Sequence, residues 1–226
     1  MVAAVSWSGG KDCCLALHRA RAAGLDIRIL VAMFDESGER TRSHGVPRAI
    51  MQAQADALGL ELVAPSASWA DYERVFVETL TDLAARGVSD VVFGDIDLQP
   101  HREWEEKVCA AAGVRPHLPL WQETRQALAG EILALGYRAV VVCTDGRRLG
   151  AEWCGRAYDR AFIAGLPDGV DACGENGEFH TFVTNGPPFR RPVPVQVAAV
   201  DSRSITFGEQ SYTYHFARLA LEPAFA

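Results

Sequence analysis

Residues 2–13 read V-A-A-V-S-W-S-G-G-K-D-C, and the apolar helical run C-L-A-L-H-R-A follows over residues 14–20. A short apolar strand that passes through two adjacent glycines into a helix is a device for binding phosphate. Glycine accepts positive φ and lets an anion approach the backbone. The free N–H groups of the turn and of the first helical turn then point at the anion, and the helix dipole adds to them. Lys11 brings a mobile positive charge. Asp12 cannot face a phosphate directly, which leaves it to hold a divalent cation or to fix the loop.

The spacing excludes the common nucleotide loop G-x-x-x-x-G-K-[ST], because Gly9 and Gly10 are adjacent. The segment resembles instead the pyrophosphatase loop, S-G-G-x-D-S, of ATP pyrophosphatases. In those proteins the loop grips the β- and γ-phosphates while the α-phosphate is attacked. Cys13 stands where that pattern has Ser. A thiol donates more weakly than a hydroxyl, so the expected cradle rests on the backbone.

At 226 residues the chain can bury the core of one domain, or of one domain with a small appendage. Its net charge of -7 argues against a broad nucleic-acid surface, whose footprint is basic. No apolar run is long enough to span a bilayer, and the N-terminus does not read as a signal peptide. The six cysteines contain no C-x-x-C pair, so neither a zinc knuckle nor a redox motif is signalled. A reduced, cytoplasmic protein is expected.

Beyond the first helix, which Gly24 stops, the pattern predicts strands over residues 27–34, 60–63, 88–94 and 138–143. Helices are predicted between them, over 47–58, 70–86, 102–112 and 123–135. With the first strand, this alternation predicts an α/β fold built on a doubly wound, parallel five-stranded sheet. Ligands of such sheets lie outside the carboxyl ends of the strands, where the glycine loop falls. Past residue 145 the texture changes to an acidic, turn-rich stretch, G-E-N-G-E at 174–178. Strands are predicted over 179–184, 193–200 and 211–219, the last two joined by a turn near Gly208. The expected organisation is an ATP-binding domain over 1–145 and a small α+β acceptor module over 146–226.

Several separated segments together resemble the diphthine–ammonia ligase family. They are S-W-S-G-G-K-D at 6–12, V-F-G-D-I at 92–96, R-E-W-E-E-K-V-C at 102–109 and P-L-W at 119–121. The most specific is G-E-N-G-E-F-H-T-F-V-T-N-G-P at 174–187, in which Asn185 stands where the family usually has an acid. The resemblance implies an adenine nucleotide α-hydrolase-like fold and a two-step ligation. A carboxylate attacks the α-phosphorus of ATP, pyrophosphate leaves, and ammonia displaces AMP from the acyl-adenylate.

It also implies roles for particular residues. Ser8, Gly9, Gly10, Lys11, Asp12 and Cys13 would hold the leaving pyrophosphate, with Asp12 on Mg²⁺. The backbone of Met33 and Phe34 would read adenine, Ser43 and His44 would close over the nucleotide, and Gly94 and Asp95 would border the ribose or the α-phosphate. Glu175, Asn176, Gly177, Glu178 and Thr181 would form the acceptor side, with Glu178 or Glu175 as base for the amine. The implied partners are ATP, ammonia and a carboxylate acceptor, such as one carried on an elongation factor, with a homodimer as an open assembly. Two other readings share the fold: a tRNA sulfurtransferase, which calls for a persulfide-carrying cysteine pair and a basic surface, and a nucleotide-binding module without ligase activity.

Overall fold

The computed structural model describes residues 2–207 and 210–222. Strands β1 (Val2–Ser6), β2 (Asp26–Val31), β3 (Glu61–Val63), β4 (Val88–Val92) and β5 (Arg115–His117) form a parallel sheet in the order β3-β2-β1-β4-β5. Helices α1 (Lys11–Ala22), α2 (Arg48–Leu58), α3 (Tyr72–Ala85), α4 (Gln99–Ala112) and α5 (Arg125–Ala134) alternate with these strands. Side chains alternate in a strand, and β1 shows what that does. Ala3 and Val5 join a core with Leu15, Leu17, Met51 and Ile132, whereas Ala4 faces a second core with Phe76, Leu80 and Val108. Helices thus cover both faces, which is the doubly wound arrangement expected.

One strand is not where the periodicity put it. The apolar run at 138–143 forms β6 (Arg138–Asp145), but β6 pairs antiparallel with β7 (Phe179–Asn185) and β9 (Gln210–Leu221). With β8 (Val195–Phe207) these make a separate sheet, in the order β7-β6-β9-β8. The fifth parallel strand is instead Arg-Pro-His at 115–117. Three residues with a central proline carry no apolar run, and proline is tolerated because β5 is an edge strand. Polar contacts hold it: the buried Asp90 carboxylate lies 3.0 Å from Arg115 Nε and 2.7 Å from His117 Nε2. The turn expected near Gly208 lies outside the described residues.

The two sheets share a core, since Val141, Phe182 and Leu219 of the second belong to the same cluster as Val5 and Leu30 of the first. A short helix, α6 (Arg160–Ala164), lies between β6 and β7, with Phe162 in that cluster. All six cysteines are buried and free. Among the described residues no helix is long and apolar enough to cross a membrane.

At the seam between the sheets, Gln54 of α2 is fully buried. It accepts from Trp7 Nε1 at 2.8 Å and donates to the carbonyls of Gly9 at 3.1 Å and Val183 at 2.7 Å. Replacing it by alanine strands one indole N–H and removes a donor from two carbonyls. Each unsatisfied buried group costs about 1–3 kcal/mol. Gln54→Ala should therefore destabilise the protein by about 2–3 kcal/mol, read as a lower urea midpoint at unchanged slope.

Candidate active site

The carboxyl ends of β1 and β4 open onto a trough with two lobes. The first, of about 250 Å³, is lined by Ser8, Asp12, Cys13, Met33, Ser43, His44, Gly94, Asp95 and Glu175, among others. The second, of about 360 Å³, is lined by Gly10, Lys11, Asn176, Gly177 and Thr181, and shares Asp12, His44, Asp95, Glu175 and His180 with the first. The loop after β1 and the turn at 174–177 therefore border two adjoining lobes with five lining residues in common.

The loop's shape follows from one glycine conformation and the contacts around it. Gly9 has φ +79°, a conformation that side chains resist. Its carbonyl accepts from the Val183 N–H of β7 at 2.8 Å. Gly94 lets β4 come close: a Cβ there would lie 2.8 Å from the Cys13 nitrogen and 3.0 Å from the Asp12 carbonyl carbon. Two N–H groups expected to face a phosphate meet side-chain oxygens instead, Gly10 the hydroxyl of Ser8 at 3.2 Å and Lys11 that of Thr181 at 3.1 Å. Cys13 is internal to the loop, accepting from the Ser8 hydroxyl at 3.3 Å and donating to the Gly10 carbonyl at 3.2 Å. Burial would raise its thiol, but hydrogen bonds with Cys14 and Ser8 hold it below the ordinary value.

Lys11 is not the mobile charge the sequence suggested. It is 2% exposed, and its Nζ donates to Asp12 Oδ2 at 2.6 Å and to the Cys173 carbonyl. It also lies 5.7 Å from the Tyr158 ring centre and 5.8 Å from that of Phe179. Burial opposes its charge, but Asp12 keeps the ammonium protonated, above its usual range. Burial pushes the Asp12 carboxyl up against the opposing pull of Lys11, and Asp12 Oδ1 is buried with no hydrogen-bond partner among the described residues.

Phe34 and Glu178 do not reach the trough. Phe34 is fully buried; its N–H donates to the Pro65 carbonyl at 2.8 Å and its own carbonyl accepts from Ala67 at 3.2 Å, so its backbone is not free to read a base. Glu178 is 2% exposed and accepts from the Asn176 N–H at 3.0 Å, Asn176 Nδ2 at 2.9 Å and the Asp171 N–H at 3.3 Å. Its carboxylate fixes the turn. The acid that the turn presents to both lobes is Glu175, pushed up to about 8 by burial and by the Asp12 charge.

Other lining residues carried no functional signal in the sequence. Tyr72, in the helix predicted over 70–86, and Arg42, in the loop after the strand predicted over 27–34, both line the first lobe. His180, inside the H-T-F segment, packs against His44 with ring centres 4.5 Å apart and ring planes tilted by 37°. Burial first, then Lys11, holds His180 down near 4; burial and the His180 neighbour push His44 down as well. Both rings are neutral near pH 7. No group of three or more His, Cys, Asp or Glu among the described residues could hold a metal ion unaided.

Residues 1–116 match the family model for the diphthamide synthase N-terminal domain, and residues 124–218 that for the diphthamide synthase C-terminal domain. The chain belongs to the diphthamide synthase family. Diphthine–ammonia ligase of Bos taurus is 25% identical over 224 residues, covering 87% of this chain and 84% of that protein. The Homo sapiens protein of the same name is 26% identical over 222 residues, covering 85% and 82%. A solved structure of a predicted subunit of tRNA methyltransferase from Methanocaldococcus jannaschii is similar at 15% identity and TM-score 0.42, over 63% of this chain and 80% of that one. A likeness that slight bears on neither activity nor substrate.

At Gly94 a single added methyl group would press on the backbone of the glycine loop. Gly94→Ala must push β4 off the first turn of α1, since the clash is with backbone. Titration calorimetry should show ATP binding weakened about tenfold or more while the far-ultraviolet circular dichroism is unchanged.

Proposed function

We propose that the chain is an ATP-dependent amide ligase that adenylates a carboxylate and passes ammonia to it. The observation that carries this reading is the single trough in which the strand-end loop and the 174–177 turn face each other across Asp12, Asp95 and Glu175. A carboxylate oxygen of the acceptor attacks the α-phosphorus, and the bond to the pyrophosphate oxygen breaks. Ammonia then attacks the acyl carbon, the bond to AMP breaks, and the ammonium formed loses a proton to a base.

On this reading the first lobe takes ATP. The base lies at Met33, Ser43 and His44 close over the nucleotide, and Gly94 and Asp95 border the ribose or the α-phosphate. The loop from Ser8 to Cys13 takes the leaving pyrophosphate. Mg²⁺ fits Asp12, whose buried, unpartnered Oδ1 is a hard oxygen ligand; such ions bind through one or two carboxylates completed by phosphates and water. When bound, it would neutralise charge on the leaving group. The second lobe takes the acceptor and ammonia. Glu175 is the group we assign as base, because it faces both lobes while Glu178 is engaged within the turn. The relatives' name points to diphthine as the acceptor.

Incubation with labelled ATP, Mg²⁺, ammonium and a diphthine-bearing protein should release AMP and pyrophosphate together with amide. Release of ADP, or AMP release without amide, would sink the reading. Asp12→Asn should keep its fold and lose AMP release by about 10²-fold or more.

Glu175 and Glu178 should separate cleanly. Glu175→Gln should bind ATP almost normally and form amide about 10²-fold more slowly, the scale of a lost general base. Glu178→Gln should act through the turn, lowering the thermal midpoint before it lowers the rate constant of the folded protein. The reverse pattern would return the base to Glu178.

A further inference from the structure

Helix α4 carries a buried acid that the reaction outlined above does not use. Glu105 is 2% exposed and sits one helical turn beyond His101, so both side chains project from the same face. That face meets Asp95. His101 Nδ1 lies 2.7 Å from Asp95 Oδ1, and the Glu105 carboxyl is in hydrogen-bonding contact with the Asp95 carboxylate. Two carboxyl groups in contact cannot both ionise, so one proton must lie between them.

The surroundings decide which group keeps that proton. Asp95 has His101 beside it and opens to both lobes. Glu105 is enclosed, and its Oε2 has no hydrogen-bond partner among the described residues. An anion there would be a buried charge lacking donors, whereas a neutral acid leaves only one unpaired oxygen. In keeping with this, burial and the Asp95 neighbour push Glu105 up to about 11. Burial would raise Asp95, but its bonds to His101 and Glu105 hold it below the usual carboxylate range. Around Asp95 the lobes also carry Asp12 from α1, Tyr72 from α3, Glu175 from the turn, and Lys11, Arg42, His44 and His180. Of the cations, Lys11 is paired with Asp12, and Arg42 donates to the Ala67 carbonyl and lies over the Trp69 ring.

We propose that Glu105 is a positioning residue: as a neutral acid it donates a hydrogen bond to Asp95 and, with His101, fixes that carboxylate where the two lobes join. The consequence for catalysis rests on the reading that Asp95 borders the bound nucleotide. Without the donor, Asp95 keeps the contact with His101 as its hold on α4.

Two measurements test this. In the ligand-free protein at neutral pH, infrared spectroscopy should show protonated-carboxyl absorption that Glu105→Gln lowers by one group while the Glu175 share remains; identical absorption in wild type and Glu105→Gln overturns the proposal. Glu105→Gln keeps a neutral donor of similar size, so its dissociation constant for Mg²⁺-ATP should stay within about threefold of wild type. Glu105→Leu removes the donor and should weaken binding about 10–100-fold, the scale of losing an outer support. Equal damage from both variants, each folded, overturns the donor role. If Glu105→Leu fails to fold, the glutamine variant and the band decide. If wild type binds no ATP, the nucleotide reading fails on its own, and the infrared band still decides Glu105.

Discussion

The Gly9 carbonyl accepts from the Val183 N–H at 2.8 Å and from Gln54 at 3.1 Å, and the shape of the trough depends on that seam. The glycine loop grows from the parallel sheet, but β7 of the antiparallel sheet holds it. Thr181 adds a second clasp on the Lys11 N–H, between residues 170 positions apart in the chain. Gln54 ties both to Trp7. Loop conformation and turn position are therefore one mechanical unit, even though the family models divide the chain between residues 116 and 124. A loop with two consecutive glycines has little conformational preference of its own. The second sheet supplies the rigidity that the loop's composition lacks.

What could be read from the chain follows from where the signals are local. The glycine loop, the apolar parallel strands and the helix stop at Gly59 are local features, and the structure has them in place; Gly59 takes φ +67° at the end of α2. Strand β5 escaped because an edge strand of Arg-Pro-His is held by Asp90, a partner 25 residues earlier for Arg115. Strand β6 misled for the converse reason. An apolar run of that length looks the same in a parallel sheet as in a covered antiparallel one, and periodicity cannot say which neighbour it will find. At the site, the contrast is between Glu175 and Glu178. Both stand in one acidic turn, and only the fold determines that Glu178 bonds Asn176 and Asp171 while Glu175 faces the lobes. The resemblance paired Phe34 with Met33, but in the fold the chain at Phe34 crosses Pro65 and Ala67, which bond its N–H and carbonyl.

The electrostatics of the trough run against the usual picture of a phosphate site. Asp12, Asp95 and Glu175 all face it, and Lys11, the one lysine at the loop, is paired with Asp12 and turned toward Cys173. His44 and His180 stand at the junction of the lobes, but burial keeps both neutral near pH 7, so they offer hydrogen bonds and not charge. Of the backbone donors, Gly10 and Lys11 already meet Ser8 and Thr181. A polyanion entering such a space meets few free cations: Arg42 lines the first lobe, and further positive charge has to come with the polyanion.

That shortage of free cations gives Asp12 its place in the argument for a metal-bound nucleotide. Its Oδ2 is neutralised by Lys11 at 2.6 Å, and its Oδ1 is enclosed with no partner among the described residues. An enclosed carboxylate oxygen without a donor costs free energy in the free protein. A divalent ion arriving on the phosphates would convert that cost into an attraction at the moment of binding. Asp12 would then favour the magnesium complex over bare nucleotide. Selectivity for the metal-bound form would thus come from electrostatics alone, with no cage of protein ligands built in advance.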